Sequence, residues 1–371
     1  MAEPTNTTTP DQILADVPGK WEKAKESGEL LFFPSTERIV PGDFPFQIRL
    51  CPALAQKPTS SEDEKKDDKL KASPFQPPYI PELYVGCLEG IDGEKNMSVL
   101  LNKFSVAPHH FLLCPVEDEP QSLPPTPPEL ARTYSLVQAA RKRGKSLLAF
   151  YNGGPGAGAS QTWRHVQFTE GEAPVESWVR NVTFERKGES KANGLIPDRA
   201  IVHPDLPYLH IIHPLPDCPY PPTPDQLTEL ADKLAPVLMR SLDLAFDALR
   251  RAGLDKSQGW NLLMTDAPNY ALPGSGGTLE VNALGYAGQL LVKSEEQSAA
   301  LDEVAKEKDG LTNILLKCGL DRKYGEEALT QDATQHGGAG SALELLDASD
   351  PSDASGASGE PKTETGKRSR L

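Results

Sequence analysis

Short apolar runs, separated by charged, proline-rich or glycine-rich segments, recur along most of the chain. Runs of this length, bounded by residues that favour turns, predict buried strands. The predicted strands lie at residues 28–34, 44–54, 84–87, 97–104, 110–116, 147–151, 208–216 and 260–266. Leucine-rich segments with helical spacing lie between some of these strands, so the pattern predicts a fold that contains both sheets and helices.

Two of the predicted helices begin with the same local sequence. Thr126 precedes two prolines and Glu129, and Thr223 precedes Pro224, an aspartate and Gln226. A threonine N-cap, a proline in the first turn and a Glu or Gln three residues later form the capping box that starts a helix. Each helix lies between two predicted strands, so this repeated strand, helix and strand pattern predicts two related halves.

Further helical segments are expected near both ends of the folded region. Residues 11–17 and 21–26 have helical spacing but are separated by Pro18 and Gly19, so we expect two short helical turns there. Residues 294–320 carry leucines, a valine and an isoleucine at helical spacing, which predicts a closing helical hairpin.

Composition narrows the class of protein. A chain of 371 residues that is 38% hydrophobic can bury a sizeable core. Its formal net charge of −15 disfavours a surface for nucleic acid or an acidic membrane, because both attract basic surfaces. No apolar run approaches the length of a membrane span and the N-terminus is polar, so we expect a cytoplasmic protein rather than an exported one.

The cysteines and histidines do not predict a metal site. The five cysteines are widely spaced and odd in number, which fits reduced thiols in an intracellular protein. His203, His210 and His213 surround one predicted strand, but no thiol or carboxylate spacing accompanies them. We therefore interpret them as ordinary strand and turn histidines rather than as a zinc cluster.

Two segments have the composition of disordered chain. Residues 57–75 contain a mixed-charge run, which predicts a mobile loop, and residues 329–371 are rich in Gly, Ala, Ser and Asp, which predicts a disordered tail. The tail ends in Ser369, Arg370 and Leu371, one conservative change from the Ser-Lys-Leu peroxisomal address. A peroxisomal location is thus the alternative to a cytoplasmic one, and a fluorescent fusion that stays diffuse with the tail intact would remove it.

The candidate for chemistry lies after the predicted strand at residues 147–151. Asn152 leads into closely spaced glycines, whose backbone N–H groups can approach an anion without obstruction from a Cβ atom. In the extended segment that follows, Trp163, His165 and Gln167 alternate and share one face. A glycine-rich turn is also common as a plain connection between strands, but the histidine beside it favours a phosphate site.

The histidine is suited to attack on phosphorus. A neutral imidazole, with a pKa of about 6.5, is a competent nucleophile at neutral pH. Phosphoryl-type transfer depends mostly on positioning and charge stabilisation, which backbone N–H groups can supply. No Gly-Lys-Ser/Thr follows the glycines, so this is not a Walker loop. The motif leaves open whether water or a second anion accepts the transferred group.

The order of these residues resembles a known family. A Gly/Ser loop that ends in Ser160 and Gln161 and is followed by His165 and Gln167 resembles the His-x-His-x-Gln motif of the fungal ATP adenylyltransferases, or diadenosine tetraphosphate phosphorylases. These enzymes belong to the histidine-triad and galactose-1-phosphate uridylyltransferase superfamily. Trp163 stands where the family usually has its first histidine. The resemblance covers roughly residues 29–320, with the motifs in the family's order.

This resemblance implies a fold and a division of the chain. The implied fold is α+β and histidine-triad-like, with a mostly antiparallel sheet, flanking helices and two pseudo-repeated halves. Residues 1–205 would form the N-terminal catalytic half, and residues 206–328 would form a C-terminal half of the ATP adenylyltransferase type.

The resemblance also implies a set of site residues. His165 would attack an α-phosphate to give a covalent adenylyl-histidine, and Gln167 would bind the same phosphate. Ala283 and Gln289 replace a serine and a methionine that are usual in the family. Lys57 is the candidate for a substrate-binding lysine, and the alternative interpretation is a solvated loop lysine. The implied substrate-binding residues are Lys57, Asn102, Lys103, Asn152, Gly158, Ala159, Ser160, Gln161, Gln167, Asn282, Ala283, Leu284, Gln289 and Lys293.

The function implied by the resemblance is phosphorolysis of diadenosine tetraphosphate to ATP and ADP. A hydrolase or an adenylyl-sulfate phosphorylase at the same histidine, and a non-catalytic nucleotide sensor, are the alternatives. The expected partners are small nucleotides and phosphate, with no nucleic acid and no membrane, and we expect a monomer. No cofactor is required by the resemblance, and the sequence leaves open whether Mg²⁺ accompanies the polyphosphate.

Overall fold

The computed structural model describes residues 7–56, 73–179, 200–254, 258–265, 269–272 and 281–335. The helices are α1 (Pro10–Ser27), α2 (Pro127–Lys142), α3 (Pro174–Val179), α4 (Pro224–Arg251), α5 (Ala283–Tyr286), α6 (Glu295–Ala305), α7 (Gly310–Cys318) and α8 (Lys323–Gln335). The strands are β1 (Leu31–Phe32), β2 (Thr36–Val40), β3 (Phe46–Leu50), β4 (Tyr84–Leu88), β5 (Met97–Leu101), β6 (Phe104–Ser105), β7 (Phe111–Pro115), β8 (Leu147–Gly153), β9 (Val166–Glu170), β10 (Ile211–His213), β11 (Trp260–Met264), β12 (Asn269–Leu272) and β13 (Gln289–Val292). The predicted α+β class is confirmed.

The described strands form one large sheet and two small ones. The large sheet has the order β10-β12-β11-β8-β9-β7-β5-β4, and each neighbouring pair in it is antiparallel. In the three-stranded sheet β3 lies between β2 and β13. It runs antiparallel to β2 and parallel to β13. The pair β8–β11 joins strands from both predicted halves, so the two halves share one continuous sheet.

The large sheet separates two layers of apolar packing, because successive side chains of a strand point to opposite faces. Leu147, Ala149 and Tyr151 of β8 point to a core shared with α1, α2 and α4. Leu148 and Phe150 point to a second core, shared with the three-stranded sheet and α7. Asn152 continues the alternation on this second face, so the polar end of β8 lies on the side of the three-stranded sheet.

The two predicted capping boxes are confirmed. The Thr126 side chain accepts a hydrogen bond from the Glu129 backbone N–H, and the Glu129 side chain accepts one from the Thr126 backbone N–H. Thr223 and Gln226 make the same reciprocal pair at the start of α4. These bonds satisfy N–H groups that have no partner within the helix, which explains why both helices begin there.

Two predictions at the N-terminal end are wrong in detail. Residues 11–17 and 21–26 belong to one helix, α1, which continues through Pro18. Its buried apolar stripe, which includes Val17 and Trp21, packs on the core and offsets the hydrogen bond that proline removes. Residues 44–54 form a shorter strand, β3, which is followed by a 3-10 turn at Pro52–Gln56.

Other predictions are corrected further along the chain. β2 was not predicted, because its side chains are only partly buried and its sequence has no strong apolar run. Within residues 208–216 only β10 is a strand. Residues 281–293 form α5 and then β13, because Asn282 caps a short helix. The hairpin predicted at residues 294–320 is confirmed by α6 and α7.

The predicted boundaries of the two disordered segments differ from the structure. Residues 57–72 lie outside the described part, but Phe75, at the end of the predicted loop, is buried with 6% of its side chain exposed. Helix α8 continues to Gln335, so a tail that starts at residue 329 is wrong by part of a helix. Ser369, Arg370 and Leu371 lie outside the described residues, as does Lys57. Within the described residues, no helix combines the length and the apolar character needed to cross a bilayer.

A buried ion pair ties the start of β9 to α2. Arg164 Nε donates to Glu129 Oε1 at 3.0 Å, and the two side chains are only 7% and 6% exposed. Burial raises the pKa of Glu129, and the Arg164 guanidinium opposes this rise. Since Glu129 also completes the capping box, one carboxylate stabilises the helix start and the strand that follows His165.

We expect Arg164→Leu to lower the free energy of unfolding by about 3–5 kcal/mol, because it leaves the Glu129 carboxylate buried without a counter-charge. The double variant Arg164→Leu/Glu129→Gln should lose clearly less, since glutamine is neutral and still accepts from the Thr126 N–H. Urea unfolding of both variants measures this. A double variant no more stable than Arg164→Leu would contradict the charge explanation.

Candidate active site

His165 is held by its own backbone neighbour. Its Nδ1 lies 2.8 Å from the Trp163 carbonyl oxygen, and because a carbonyl only accepts, Nδ1 carries the proton. Nε2 therefore bears the lone pair, and none of the described residues forms a hydrogen bond with it. The imidazole is 5% exposed and stacks on the Phe75 ring, with centroids 5.4 Å apart. The geometry presents a neutral imidazole with one nitrogen available for attack.

Burial also sets the protonation state of this histidine. Desolvation lowers the pKa of His165 from its ordinary value, and the hydrogen bond to the Trp163 carbonyl opposes the change. The imidazole is therefore neutral at neutral pH, which is the form that a nucleophile needs.

The Trp163 side chain does not occupy the site as a functional group. Its Nε1 donates to the Pro115 carbonyl at 3.0 Å, and its ring packs with Phe75, Leu112 and Cys114. The bond that orients His165 comes from the backbone of residue 163, so it does not depend on a histidine side chain there. The departure from the family's usual motif thus leaves the orientation of His165 intact.

The Gln121 side chain forms a hydrogen-bonded clamp between His165 and Asn152, the residue that leads into the glycine loop. Its Oε1 accepts from the His165 backbone N–H at 2.7 Å, and its Nε2 donates to the Asn152 carbonyl at 2.9 Å. The Tyr151 hydroxyl in turn lies 2.8 Å from the Gln121 carbonyl oxygen. Gln121 is 2% exposed, so this clamp operates away from water. Sequence reasoning did not find Gln121, because it lies 44 residues before His165 in a proline-rich connection.

Gln167 and Asn102, both predicted, are joined through His110. The His110 Nε2 lies 3.2 Å from Gln167 Oε1, and the Asn102 Nδ2 lies 3.0 Å from His110 Nδ1. Burial lowers the pKa of His110 to about 4, so it stays neutral with its proton on Nε2. Because Gln167 Oε1 accepts from His110, the Gln167 amide NH₂ remains to donate to a phosphate oxygen. Sequence reasoning treated His110 only as the start of a strand.

The glycine loop contacts the segment at residues 282–284, as their joint assignment to the site requires. Gly154 and Gly158 have positive φ angles of 101° and 85°. A Cβ atom on Gly158 would lie 2.8 Å from the Asn282 Cβ, so only glycine permits this approach. The Asn152 side chain accepts from the Ala283 N–H at 3.0 Å. Asn152, Gly158, Asn282 and Ala283 therefore form one cluster.

Only part of the loop backbone is available to an anion. The Gly158 N–H donates to the Pro155 carbonyl and the Ala159 N–H donates to the Gly154 carbonyl, so both are used within the loop. The backbone N–H groups of Ser160 and Gln161 have no such partner among the described residues, and both residues are exposed. A phosphate held by this loop would thus be bound by its second half.

Further predicted residues within the described part are Leu284, Lys103, Gln289 and Lys293. Asn282 caps α5 by accepting from the Leu284 N–H, and Lys103 lies 3.7 Å from Glu29. Gln289 begins β13, and the exposed Lys293 follows that strand directly, so both belong to the three-stranded sheet. Gln289 and Lys293 therefore lie on the three-stranded sheet rather than among the hydrogen-bonded residues around His165.

The three histidines of the second half are engaged in structural hydrogen bonds. His210 Nδ1 lies 2.7 Å from the Tyr208 carbonyl oxygen, and His210 Nε2 accepts from the His203 N–H at 2.7 Å. His213 Nδ1 lies 2.9 Å from the Pro214 carbonyl oxygen. Burial lowers the pKa of His210 to about 3, in keeping with a neutral core histidine.

We expect Gln121→Met to lower kcat on the substrate that the sequence resemblance implies, diadenosine tetraphosphate, by about ten- to a hundredfold with little change in KM. A small displacement of His165 impairs attack more than binding. Gln138→Met is the matched control. Gln138 belongs to α2, and its side chain donates to the Cys218 carbonyl rather than to a residue of the site. Steady-state kinetics of both variants test this. An unchanged kcat for Gln121→Met would show that the clamp does not position the nucleophile.

Comparisons with known proteins identify the relatives of this chain. The family model described as the Ap4A phosphorylase N-terminal domain matches residues 3–178, and the ATP adenylyltransferase C-terminal domain matches residues 204–321. Two Saccharomyces cerevisiae proteins are similar. Protein APA1 is 25% identical over 332 residues, which cover 86% of this chain and 97% of that protein. Diadenosine 5',5'''-P1,P4-tetraphosphate phosphorylase 2 is 27% identical over 299 residues, which cover 76% of this chain and 86% of that protein.

Solved structures share the fold. The crystal structure of yeast Ap4A phosphorylase Apa2 in complex with Ap4A aligns with a TM-score of 0.63 at 22% identity, over 85% of this chain and 99% of that chain. The crystal structure of the same enzyme in complex with AMP aligns with a TM-score of 0.59 at 24% identity, over 85% of this chain and 98% of that chain. The two family domains follow one another along the chain. The chain belongs to the family of Ap4A phosphorylases, with an ATP adenylyltransferase C-terminal domain.

Proposed function

We propose that this protein phosphorolyses diadenosine tetraphosphate to ATP and ADP through a covalent adenylyl-histidine at His165. The observation that carries the proposal is the hydrogen bond from His165 Nδ1–H to the Trp163 carbonyl, which directs the lone pair of Nε2 toward the site. The names of a relative, diadenosine tetraphosphate phosphorylase 2, and of a structural neighbour, Ap4A phosphorylase Apa2, support the choice of substrate.

The first step transfers an adenylyl group to the protein. His165 Nε2 attacks the α-phosphorus of one adenosine, the bond from that phosphorus to the bridging oxygen breaks, and ATP leaves. The imidazole gains positive charge as the N–P bond forms, and the Trp163 carbonyl stabilises it by accepting from Nδ1–H. The carbonyl keeps the Nδ1 proton in place throughout this step.

The second step transfers the same group to phosphate. An oxygen of inorganic phosphate attacks the α-phosphorus, the N–P bond breaks, ADP forms, and His165 returns to its neutral state. Gln167 can donate to a non-bridging oxygen of the α-phosphate in both steps, because its carbonyl is held by His110. The N–H groups of Ser160 and Gln161 are donors for the same phosphate.

The predicted pseudo-repeat is part of this proposal. In the large sheet, β8 and β11 are neighbours. On one side β8 is followed outward by β9 and β7, and on the other side β11 is followed outward by β12 and β10, so the two sets of strands are arranged symmetrically about the β8–β11 pair. Helix α2 connects β7 to β8, and helix α4 connects β10 to β11; both helices begin with the same kind of capping box. These features support two related halves in one chain, of which the first carries the nucleophile and which together act as a monomer.

Product analysis with and without phosphate tests the reaction. We expect ATP and ADP from diadenosine tetraphosphate only when phosphate is present, and we expect His165→Ala to lower turnover by more than about a thousandfold. His203→Ala is the matched histidine control and should retain turnover. ATP and AMP without phosphate would instead identify a hydrolase, and binding without turnover would identify a nucleotide sensor.

The acidic limb of the pH profile tests the state of His165. The nucleophile must be neutral, and its pKa is lowered by burial, so activity should fall only below pH about 6.5. A plot of kcat/KM against pH measures this limb. An apparent pKa at or above that of a free imidazole would contradict a buried, neutral nucleophile.

A further inference from the structure

One face of the three-stranded sheet points away from the buried core and carries both polar and apolar side chains. Phe46, Ile48, Leu290 and Val292 point to the buried core. Residues that pair across strands point to the same face, so the partners Glu37, Arg49 and Leu291 form one row on the opposite face. Ile39, Gln47 and Gln289 form the adjacent row. Arg49 is therefore on the face that carries Gln289, one of the residues assigned to the substrate.

Arg49 also contacts the segment between β5 and β7. Its Nη1 donates to the Val106 carbonyl at 2.7 Å. Val106 lies in the connection between Asn102–Lys103, at the end of β5, and His110, at the start of β7. The guanidinium thus joins the three-stranded sheet to the segment that connects Asn102 with His110. Its charge contributes to the lowered pKa of His110, in agreement with this position.

The guanidinium is held in place but keeps donors for a ligand. Nη2 lies 2.8 Å from Glu37 Oε1, and 14% of the Arg49 side chain is exposed. A guanidinium has five N–H donors, so with the Val106 and Glu37 contacts three of the five remain. Arginine is always charged, and its planar fork matches the oxygens of a phosphate.

We propose that Arg49 binds the phosphates of the dinucleoside polyphosphate beyond the one that His165 attacks, with Glu37 and the Val106 carbonyl fixing its guanidinium. This proposal rests on the proposed function, because it extends the same site along the polyphosphate chain. The N–H donors of Arg49 that the Glu37 and Val106 contacts leave available would reach only phosphates beyond the α-phosphate, so a substrate with several phosphates gains from them and a mononucleotide does not.

A purely structural role for Arg49 predicts a different result. An arginine that only joins β3 to the loop at Val106 would, when removed, weaken the site for all nucleotides or lower stability. An arginine that binds the distal phosphates would, when removed, weaken the polyphosphate and leave AMP unaffected. The comparison of two ligands therefore separates the two roles.

The experiment is titration calorimetry of Arg49→Gln in the full chain that also carries His165→Ala, which prevents turnover. We expect the Kd for diadenosine tetraphosphate to rise by about ten- to a hundredfold, as for the loss of hydrogen bonds to a charged group, and the Kd for AMP to stay within twofold. Arg38→Gln is the matched control, since Arg38 lies on the opposite face of β2 and pairs with Asp302.

Each other outcome has a stated meaning. Unchanged binding of diadenosine tetraphosphate, or an equal loss for both ligands, would overturn the assignment of Arg49. If Arg49→Gln does not fold, Arg49→Lys replaces it, and a tetraphosphate Kd equal to that of the parent would overturn the assignment, whereas a selective rise would support it. Failure of the parent to bind either ligand would overturn both proposals. Binding by the parent, with no turnover in the natural chain, would remove the proposed reaction alone and leave the Arg49 result standing.

Discussion

The hydrogen bond between His165 Nδ1–H and the Trp163 carbonyl is the contact on which the proposed chemistry depends. It fixes the tautomer, and with it the nitrogen that carries the lone pair. The carbonyl is itself fixed, because residues 162–164 bond to residues 119–121 through backbone hydrogen bonds, and Arg164 is anchored to Glu129 on the other face. The position of one imidazole therefore follows from the alternation of an extended strand.

The site separates neutral groups from charged ones. The side chains nearest the proposed α-phosphate position are neutral: the buried imidazoles His165 and His110 and the amides Gln167, Asn152 and Asn102. A buried cation would need its own counter-charge, as Arg164 does, whereas neutral donors can be pre-arranged at lower desolvation cost. Charges lie at the edge, where Arg49 and Lys293 remain partly hydrated. This division fits a substrate whose reacting phosphate lies deep and whose remaining phosphates extend outward.

Local patterns in the sequence predicted what local physics determines. Thr126 and Thr223 begin helices because their caps need residues only three positions away, and His165 and Gln167 share a face because strands alternate. Gln121, His110 and Arg49 were not predicted as site residues, because their partners lie 44, 57 and 57 residues away and only tertiary folding brings them together. Pro18 misled the prediction for the opposite reason: the packing of α1 on the core overrides a local helix breaker.

The central claim is that His165 carries the adenylyl group between two anions. The most direct measurement is mass spectrometry of the protein after incubation with diadenosine tetraphosphate in the absence of phosphate, followed by a pulse of phosphate. We expect a mass increase of one adenylyl group on the peptide that contains His165, and its loss with release of ADP when phosphate is added. Turnover to ATP and ADP with no such adduct under rapid quenching, or an adduct on another residue, would contradict it.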